Sequence, residues 1–496
     1  MNQSPRPGKA SFAIIGGGIS GLSAAFYLHK HLSQTSKDDF EISVFEASHR
    51  FGGVIETLQA KGCTIESGPD SFITNKPGLL DLASDLAISD QIISTNKDGR
   101  GAYVLAKGRL NKLPDGFVML APSKLLPFCL SAPLSLSGKL RAMLDLFLPA
   151  RKSKQDESLA SFVRRRFGVE VLQKLAQPLV AGIYVGDAEK LSAACAAERF
   201  VQIESTKGSV IRGLMSQVAK SSRDSGSGAR YGLFASFKNG IQTVVDALIS
   251  SLAASGVNLR KNCEVHSVRA LNGGTSTKKI AVQLDDRTVA FDGVILATPA
   301  RVTARLLGNG EAVSASLDKI PAASSAVANF VFDKSEFAFE PDGFGVVIPE
   351  TEIASRGYAA VAISFASKKF AGRAPQDLVV VRVFLGGVKM ENLLAESDDR
   401  LLERAQADLS KLLGAGKPLY SRVHRWHQAM PQYLVGHKDV VADVSLHLPT
   451  GVLLAGASYH GVGLPDCVAT AKSAALQLID HYNTSLADSQ RAAVLH

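Results

Sequence analysis

The stretch from Phe12 to Gly21, F-A-I-I-G-G-G-I-S-G, constrains the fold of this chain more than any other. An apolar run reads as a buried strand, and the glycines after it serve a sharp turn into a helix. Gly16 permits the tight turn, Gly17 continues it, and Gly18 lets the backbone approach a pyrophosphate. Gly21 lets the helix pack close to the strand. The helix starting near Ile19 and Ser20 then directs free N–H groups and its positive dipole end at the phosphates. A second strand, Ile42 to Phe45, ends at Glu46 and Ala47, and the Glu46 carboxylate suits the hydroxyls of a ribose. The gap from Gly21 to Glu46 is longer than usual, and the polar stretch Ser33 to Asp39 reads as a surface insertion. The glycines alone would also fit a structural turn. Strand, turn, helix and acid together specify a dinucleotide site.

A second glycine pair follows in Arg50-Phe51-Gly52-Gly53, with Thr57 beyond it. A nicotinamide dinucleotide needs nothing there, whereas the longer FAD needs a second close backbone approach, at Gly53 and Val54. Arg50 is the expected partner of phosphate charge, and an ordinary loop with a solvated arginine is the alternative. Val294 to Pro299 reads as a strand ending in a small-residue turn beneath the cofactor. Val452 to Gly456 reads as another strand. It leads through Ser458 to Leu464 into a helix over about 466–480, whose N-terminal donors at Val462, Gly463 and Leu464 suit the ribityl and ring end.

At 496 residues the chain exceeds one ordinary core, so two or three units are expected. The net charge of +9 favours anionic partners, a polycarboxylate substrate or an anionic membrane surface. The basic clusters at Arg151-Lys152-Lys154 and Arg164-Arg165-Arg166 lack interleaved aromatics, which excludes nucleic acid. Five cysteines without metal or C-x-x-C spacing indicate a reducing compartment. Eleven histidines form no H-x-x-x-H pair, and His424 and His427 beside Trp426 read as packing and surface residues, so no metal site is expected. No signal peptide is read before the first strand, and no apolar run reaches bilayer length. The expected location is the cytoplasm, with a peripheral seat on the inner face of the membrane left open.

The expected fold class is α/β, α+β overall. A Rossmann-like FAD-binding domain is expected from residues 10–98, 232–300 and 452–485. A helical, membrane-associating domain is expected over 107–210, and a β-rich substrate domain over 99–106, 211–231 and 301–451. Leu140, Met143, Leu144 and Phe147 recur at helical spacing within 136–148, near Lys124, Lys139 and Arg141. They face either the core or a membrane interface. Lys220 to Arg230 reads as an exposed loop, 237–252 as a helix, Val257 onward as a strand, and Asn272 to Thr275 as a hairpin turn. Strands are expected at 326–332 and 379–385 and a helix at 398–413.

Several motifs resemble the protoporphyrinogen/coproporphyrinogen III oxidases, within the wider group of FAD-dependent amine oxidase-like flavoproteins of the p-hydroxybenzoate hydroxylase type. They are Gly68-Pro69-Asp70-Ser71-Phe72, Pro178 to Asp187, Met430-Pro431-Gln432-Tyr433 and Ala455 to Tyr459, spread over nearly the whole length. The resemblance implies oxygen-dependent oxidation of a porphyrinogen to a porphyrin in haem biosynthesis, in three two-electron steps with hydrogen peroxide as product. It implies no catalytic acid or base, because adjoining pyrroles activate the bridge methylene and the gain of aromaticity drives the reaction. It places Val54 and Gly68 to Ser71 along the cofactor, Val265 near adenine, Trp426 beside the flavin, and Val462 to Leu464 at its ring. The family's substrate positions fall on Val347 and Phe384, with a second aliphatic position on Ser364 and an open wall at Gly182. The mitochondrial members' propionate-binding arginine has no match, since Ala102 stands there. Arg100 and Lys76 are the remaining cations for a substrate carboxylate, and both porphyrinogens stay open as substrate. A homodimer is compatible with the family.

Three rival readings remain. An FAD-dependent amine oxidase of the same fold often binds flavin through a cysteine near the C-terminal glycine turn. Cys467 falls past that turn, so FAD is expected to be non-covalent. A carotenoid desaturase, and a non-catalytic porphyrin-binding flavoprotein, are the others.

Overall fold

The computed structural model describes residues 9–35, 40–97, 101–223, 233–271, 280–308, 312–338 and 342–494. The apolar stretches read from the sequence meet in one parallel sheet of five strands. Its order is Asn258–Arg260, Phe40–Phe45, Ala10–Ile15, Gly293–Leu296 and Val452–Leu454. Phe12 pairs with Ile42 on one side and Gly293 on the other. Strands buried on both faces need cover on both, which explains their near-continuous apolar sequence. On one face the helices Ile19–Thr35, Gln242–Ala254 and Leu464–Val494 enclose Phe12, Ile14, Leu28, Leu248 and Leu478. On the other, a three-stranded antiparallel sheet and the helix Ala300–Leu307 cover Ala13, Ile15, Val294 and Leu296. The ends of these parallel strands lie along one edge, the usual place for a ligand in such sheets.

A second sheet of seven strands runs in the order Tyr420–Pro431, Ala322–Asp333, Leu378–Gly386, Ala360–Phe365, Gly345–Val347, Tyr103–Ala106 and Arg109–Lys112. Its back carries Ala326, Ala328, Phe330 and Phe332, covered by Leu401, Ala405 and Leu409 of the helix Asp398–Leu413. Its front faces the helix Gln177–Tyr184.

Most expected elements are present, with shifted ends. The helix expected at 237–252 spans Gln242–Ala254, because Phe234–Phe237 is a strand pairing with Ile92–Ser94. The C-terminal helix runs from Leu464 to Val494. Leu136–Met143 is helical, but the turn tightens to 3₁₀ at Leu144–Leu146. Lys220 to Arg223 belongs to the helix Val210–Arg223, while the rest of that expected loop, and the turn at Asn272 to Thr275, lie outside the described residues. Among the described residues no helix is long and apolar enough to cross a membrane.

The helical segment between the sheets is centred on a buried ion pair. Arg166 and Asp145 are both fully buried, with Arg166 Nε 2.5 Å from Asp145 Oδ1. The guanidinium also donates to the carbonyls of Pro149 at 2.9 Å and Gly208 at 2.7 Å. Asp145 accepts from Ser209 Oγ and the Ile211 N–H. Glu204 Oε1, shared with Arg165, lies farther from Arg166 at 3.4 Å. Removing Asp145 takes away the nearer acid and leaves the guanidinium under-compensated in a dry interior. Asp145→Ala should therefore lower the unfolding free energy by about 3–5 kcal/mol. Urea titration checks this, and a loss below about 1 kcal/mol, the worth of a surface pair, would contradict it.

Candidate active site

At the strand edge, glycine backbones replace side chains where chain segments cross. A Cβ on Gly21 would lie 1.8 Å from the Gly16 carbonyl oxygen, and one on Gly16 would lie 2.6 Å from that of Ala297. Gly16 adopts φ +103°, open to glycine at little cost. Gly18 and Gly52 bridge in parallel, and the Gly52 N–H donates to Gly17 O at 2.9 Å. A Cβ on Gly18 would meet only Gly53 Cα, 4.0 Å away. Gly18 and Gly53 thus face each other bare, leaving a cradle that a side chain would fill and a pyrophosphate fits. The first N–H groups of the helix Ile19–Thr35, those of Ile19, Ser20 and Gly21, have no intrahelical acceptor, as helix geometry requires, and a helix N-terminus of this kind suits an anion.

Glu46 ends its strand beside this turn. Its two oxygens accept from the Gly17 N–H at 2.7 Å and the Ser48 N–H at 2.9 Å. Ala47 continues the turn, and the Cys263 N–H donates to Glu46 O, bringing Val265 to the same end of the sheet. The Arg50 guanidinium donates to the carbonyls of Gly53 at 2.6 Å and Ile55 at 2.8 Å, so it braces the second glycine turn.

The loop from Ser67 to Ser71 links the two sheets. A Cβ on Gly68 would lie 1.9 Å from Val54 O, so only glycine admits this crossing. Trp426 Nε1 donates to Ser67 O at 2.8 Å, and Arg382 donates to Gly68 O. After Pro69, Asp70 turns into a buried cationic cluster, with Lys369 at 3.0 Å and Arg382 at 3.2 Å. Burial pushes the Asp70 carboxyl up, but the two cations outweigh it and hold it well below the usual carboxylate range. Ser71 Oγ donates to Asp70 at 2.8 Å and accepts from Lys369. Asp70 and Ser71 therefore fix the loop's shape.

The front of the seven-stranded sheet carries two lateral rows. Val347 pairs with Ala362, Ala362 with Phe384, Phe384 with Val327, and Val327 with His424. Two residues further along lies a polar row, in which Ser364 pairs with Arg382, Arg382 with Asn329, and Asn329 with Arg422. Ser364, the expected second aliphatic position, stands in the polar row, and Ala362 is the small apolar residue between Val347 and Phe384. The Arg382 guanidinium lies 5.1 Å from the centroid of the Phe384 ring. Gly182 approaches the end of the apolar row, where a Cβ would be 3.6 Å from Ala362 and 4.0 Å from Val347. Burial lowers the His424 pKa, with Arg422 adding to the effect, so its imidazole is neutral at pH 7.

The candidate cations for a substrate carboxylate fare differently. Lys76 bonds both oxygens of Asp466, at 2.7 and 2.9 Å, so the expected free ammonium is already paired. Arg100 lies outside the described residues. Sequence reasoning missed Lys369, Arg382 and Ala362. Arg382 could have been found from its spacing, two residues before Phe384 and so on the same strand face. Among the described residues no group of histidine, cysteine or acidic side chains could hold a metal.

Residues 19–479 match the family model of the flavin containing amine oxidoreductases. The chain is 35% identical over 477 residues to the coproporphyrinogen III oxidase of Bacillus subtilis, covering 94% of this chain and 97% of that one. It is 29% identical to the chloroplastic protoporphyrinogen oxidase of Nicotiana tabacum, covering 92% and 83%. An Exiguobacterium sp. 255-15 crystal structure, of a candidate protoporphyrinogen oxidase, superposes with a TM-score of 0.81 at 28% identity, covering 95% and 98%.

Asp70 gives a pH-dependent prediction. A carboxyl whose folded pKa is depressed stabilises the fold fully above its unfolded pKa of about 3.9, and loses that effect as pH falls through the folded value. Asp70→Asn should cost about 3 kcal/mol near neutral pH, because it leaves Lys369 and Arg382 uncompensated. The gap to the parent protein should narrow below about pH 4. Urea midpoints at both pH values test this, and a gap that widens on acidification would refute it.

Proposed function

The chain belongs to the flavin containing amine oxidoreductase family, and we propose that it oxidises a porphyrinogen to its porphyrin in haem biosynthesis. Coproporphyrinogen III is favoured over protoporphyrinogen IX, because relatives named for the former reach 35% identity against 29% for the latter. The observation that carries the reading is the apolar row Val347–Ala362–Phe384, an aliphatic and aromatic floor at the edge of a dinucleotide site. A bulky tetrapyrrole with four pyrrole faces needs that surface, whereas a small amine does not.

Gly16 to Gly21, with Glu46 and Ala47, would hold the ADP half of FAD, with Val265 near adenine. Gly53 and Val54 would lie along the pyrophosphate and ribityl chain, and Gly68 and Pro69 beneath them. Trp426 and Val462 to Leu464 would border the ring. Bound FAD supplies a two-electron acceptor for hydride leaving a bridge carbon. The chain's residues contribute position: Phe384 and Val347 orient the macrocycle, and the apolar row excludes water. No side chain is assigned as acid or base. Molecular oxygen is the terminal acceptor, so each macrocycle loses six hydrogens to three oxygen molecules and gives three of hydrogen peroxide. Lys76 would have to exchange Asp466 for a substrate carboxylate to bind one.

The flavin is held without a covalent bond. Cys467 is buried in the C-terminal helix, and burial pushes its thiol up to about 11, which suppresses the nucleophilic thiolate. This favours the porphyrinogen reading over an amine oxidase of the cysteine-linked kind.

A peripheral membrane seat belongs to the same reading. Leu126, Leu130, Leu136, Leu140 and Phe147 each expose more than half of their surface, Phe147 83%. Lys124 is exposed beside them. Arg141, expected at the headgroups, instead donates to the carbonyls of Arg164, Arg165 and Arg166. Exposed apolar side chains grouped this way mark an interaction surface.

Two experiments test these proposals. Aerobic incubation with each porphyrinogen should give red porphyrin fluorescence and peroxide, fastest with coproporphyrinogen III. Phe384→Ala should raise KM at least ~10-fold, as expected for loss of a buried aromatic contact, with flavin content preserved. No fluorescence with either substrate would remove the assignment. In sedimentation with anionic lipid vesicles, the protein should pellet and Leu140→Asp/Phe147→Asp should not. A dimer abolished by the same pair, without vesicle binding, would assign the face to a second copy instead.

A further inference from the structure

The segment from Met430 to His437 ties together two walls that are far apart in sequence. Gln432 Nε2 donates to Tyr184 O at 2.9 Å, and Tyr184 ends the helix that carries Gly182. Its neighbour Tyr433 points the other way. The Tyr433 hydroxyl donates to Ala457 O at 2.5 Å and accepts from the Gly461 N–H at 2.8 Å. His437 stacks on the Tyr433 ring at 4.0 Å and 15°, and its Nε2 donates to Tyr459 O at 3.0 Å. Two aromatic side chains thus hold three alternate backbone positions of one turn.

The first half of that turn is also held by the Ala300 N–H donating to Ser458 Oγ, by Tyr459 against Thr303 and by the Gly456 N–H donating to Thr470. The carbonyls of Ala457 and Tyr459 and the Gly461 N–H, by contrast, meet Tyr433 and His437. Gly456 and Gly461 adopt φ of +117° and +99°, and the helix Leu464–Val494 begins just beyond. The backbone between the two clamps is itself pinned. The Gln432 N–H donates to Pro321 O, and Tyr433 O accepts from the Ser192 N–H, both at 2.8 Å. A shift of either wall is therefore passed to the other rather than absorbed by a slack loop. Burial keeps the Tyr433 phenol protonated and the His437 imidazole neutral, so the donors and acceptors hold their roles around neutral pH.

We propose that Tyr433 is a positioning residue of the oxidase, and that the Gln432–Tyr433 pair couples the substrate wall at Gly182 to the turn facing the flavin ring. The proposal rests on the placement of the ring beside Val462 to Leu464 given above. Tyr433 touches neither substrate nor cofactor and acts through the Ala457 to Gly461 backbone.

Tyr433→Phe keeps the ring and its stacking and removes only the hydroxyl, leaving Ala457 O and the Gly461 N–H unpaired. FAD binding should weaken ~10-fold or more, the equivalent of one buried polar group left unsatisfied. The visible spectrum of bound flavin should shift, and kcat should fall with KM for coproporphyrinogen III within ~2-fold of the parent. Gln432→Leu should raise KM about 5-fold and, through the same coupling, shift the flavin spectrum in a smaller measure than Tyr433→Phe does. The double variant should depart from the product of the single effects. If Tyr433→Phe does not fold, His437→Gln supplies the same reading through flavin affinity. A lowered melting temperature with unchanged flavin affinity and spectrum would reduce the pair to structural support and overturn the proposal. The flavin titration uses no substrate, so a parent protein that binds FAD yet oxidises no porphyrinogen would defeat the functional reading and leave the clamp on trial.

Discussion

The close crossing of the first helix over the turn that feeds it decides where everything else can sit. Gly21 leaves 1.8 Å between the place of a missing Cβ and the Gly16 carbonyl oxygen, so any side chain there would force the helix off its strand. With the helix seated, its N-terminal N–H groups point into the gap between Gly18 and Gly53. Glu46, at the end of the neighbouring strand, falls beside the same gap because Ile15 and Phe45 are in register. In the proposed reading, a nucleotide's phosphates and ribose would be met by backbone and one carboxylate, and the remaining length of the cofactor would run toward the second sheet.

That second sheet does two tasks with one face, through the alternation of its strands. Arg382 and Phe384 sit two residues apart on one strand, so both point forward. Arg382 holds the Gly68 to Asp70 loop against the cofactor's path, while Phe384 joins Val347 and Ala362 in an apolar floor. Fixing the charged row fixes the apolar row, since they share a backbone. Burying three cations with two acids (Lys369, Arg373 and Arg382 with Glu66 and Asp70) is costly on its own. It gives rigidity next to a site whose chemistry asks for placement rather than acid–base groups.

The local part of this arrangement was legible in the sequence. The glycine turn, Glu46, the strands at 294–296 and 452–454 and the helix Asp398–Leu413 follow from short-range rules of turns, periodicity and capping. What depends on distant partners was not. Lys76 pairs with Asp466, 390 residues away, and Arg141 turns to carbonyls of another helix, so each cation looked free from its neighbours alone. The place of Ala362 in the apolar row has a similar origin, since it is set by pairing with Val347 and Phe384 on other strands. Tyr433 was legible only as part of a motif and His437 not at all, because their partners lie in a turn more than twenty residues on.

Anaerobic titration of the flavin-loaded protein with coproporphyrinogen III tests the central claim most directly. The visible flavin band should bleach while porphyrin absorbance rises, with one macrocycle formed for every three flavins reduced. A flavin that stays oxidised beside bound, unchanged porphyrinogen would contradict the account.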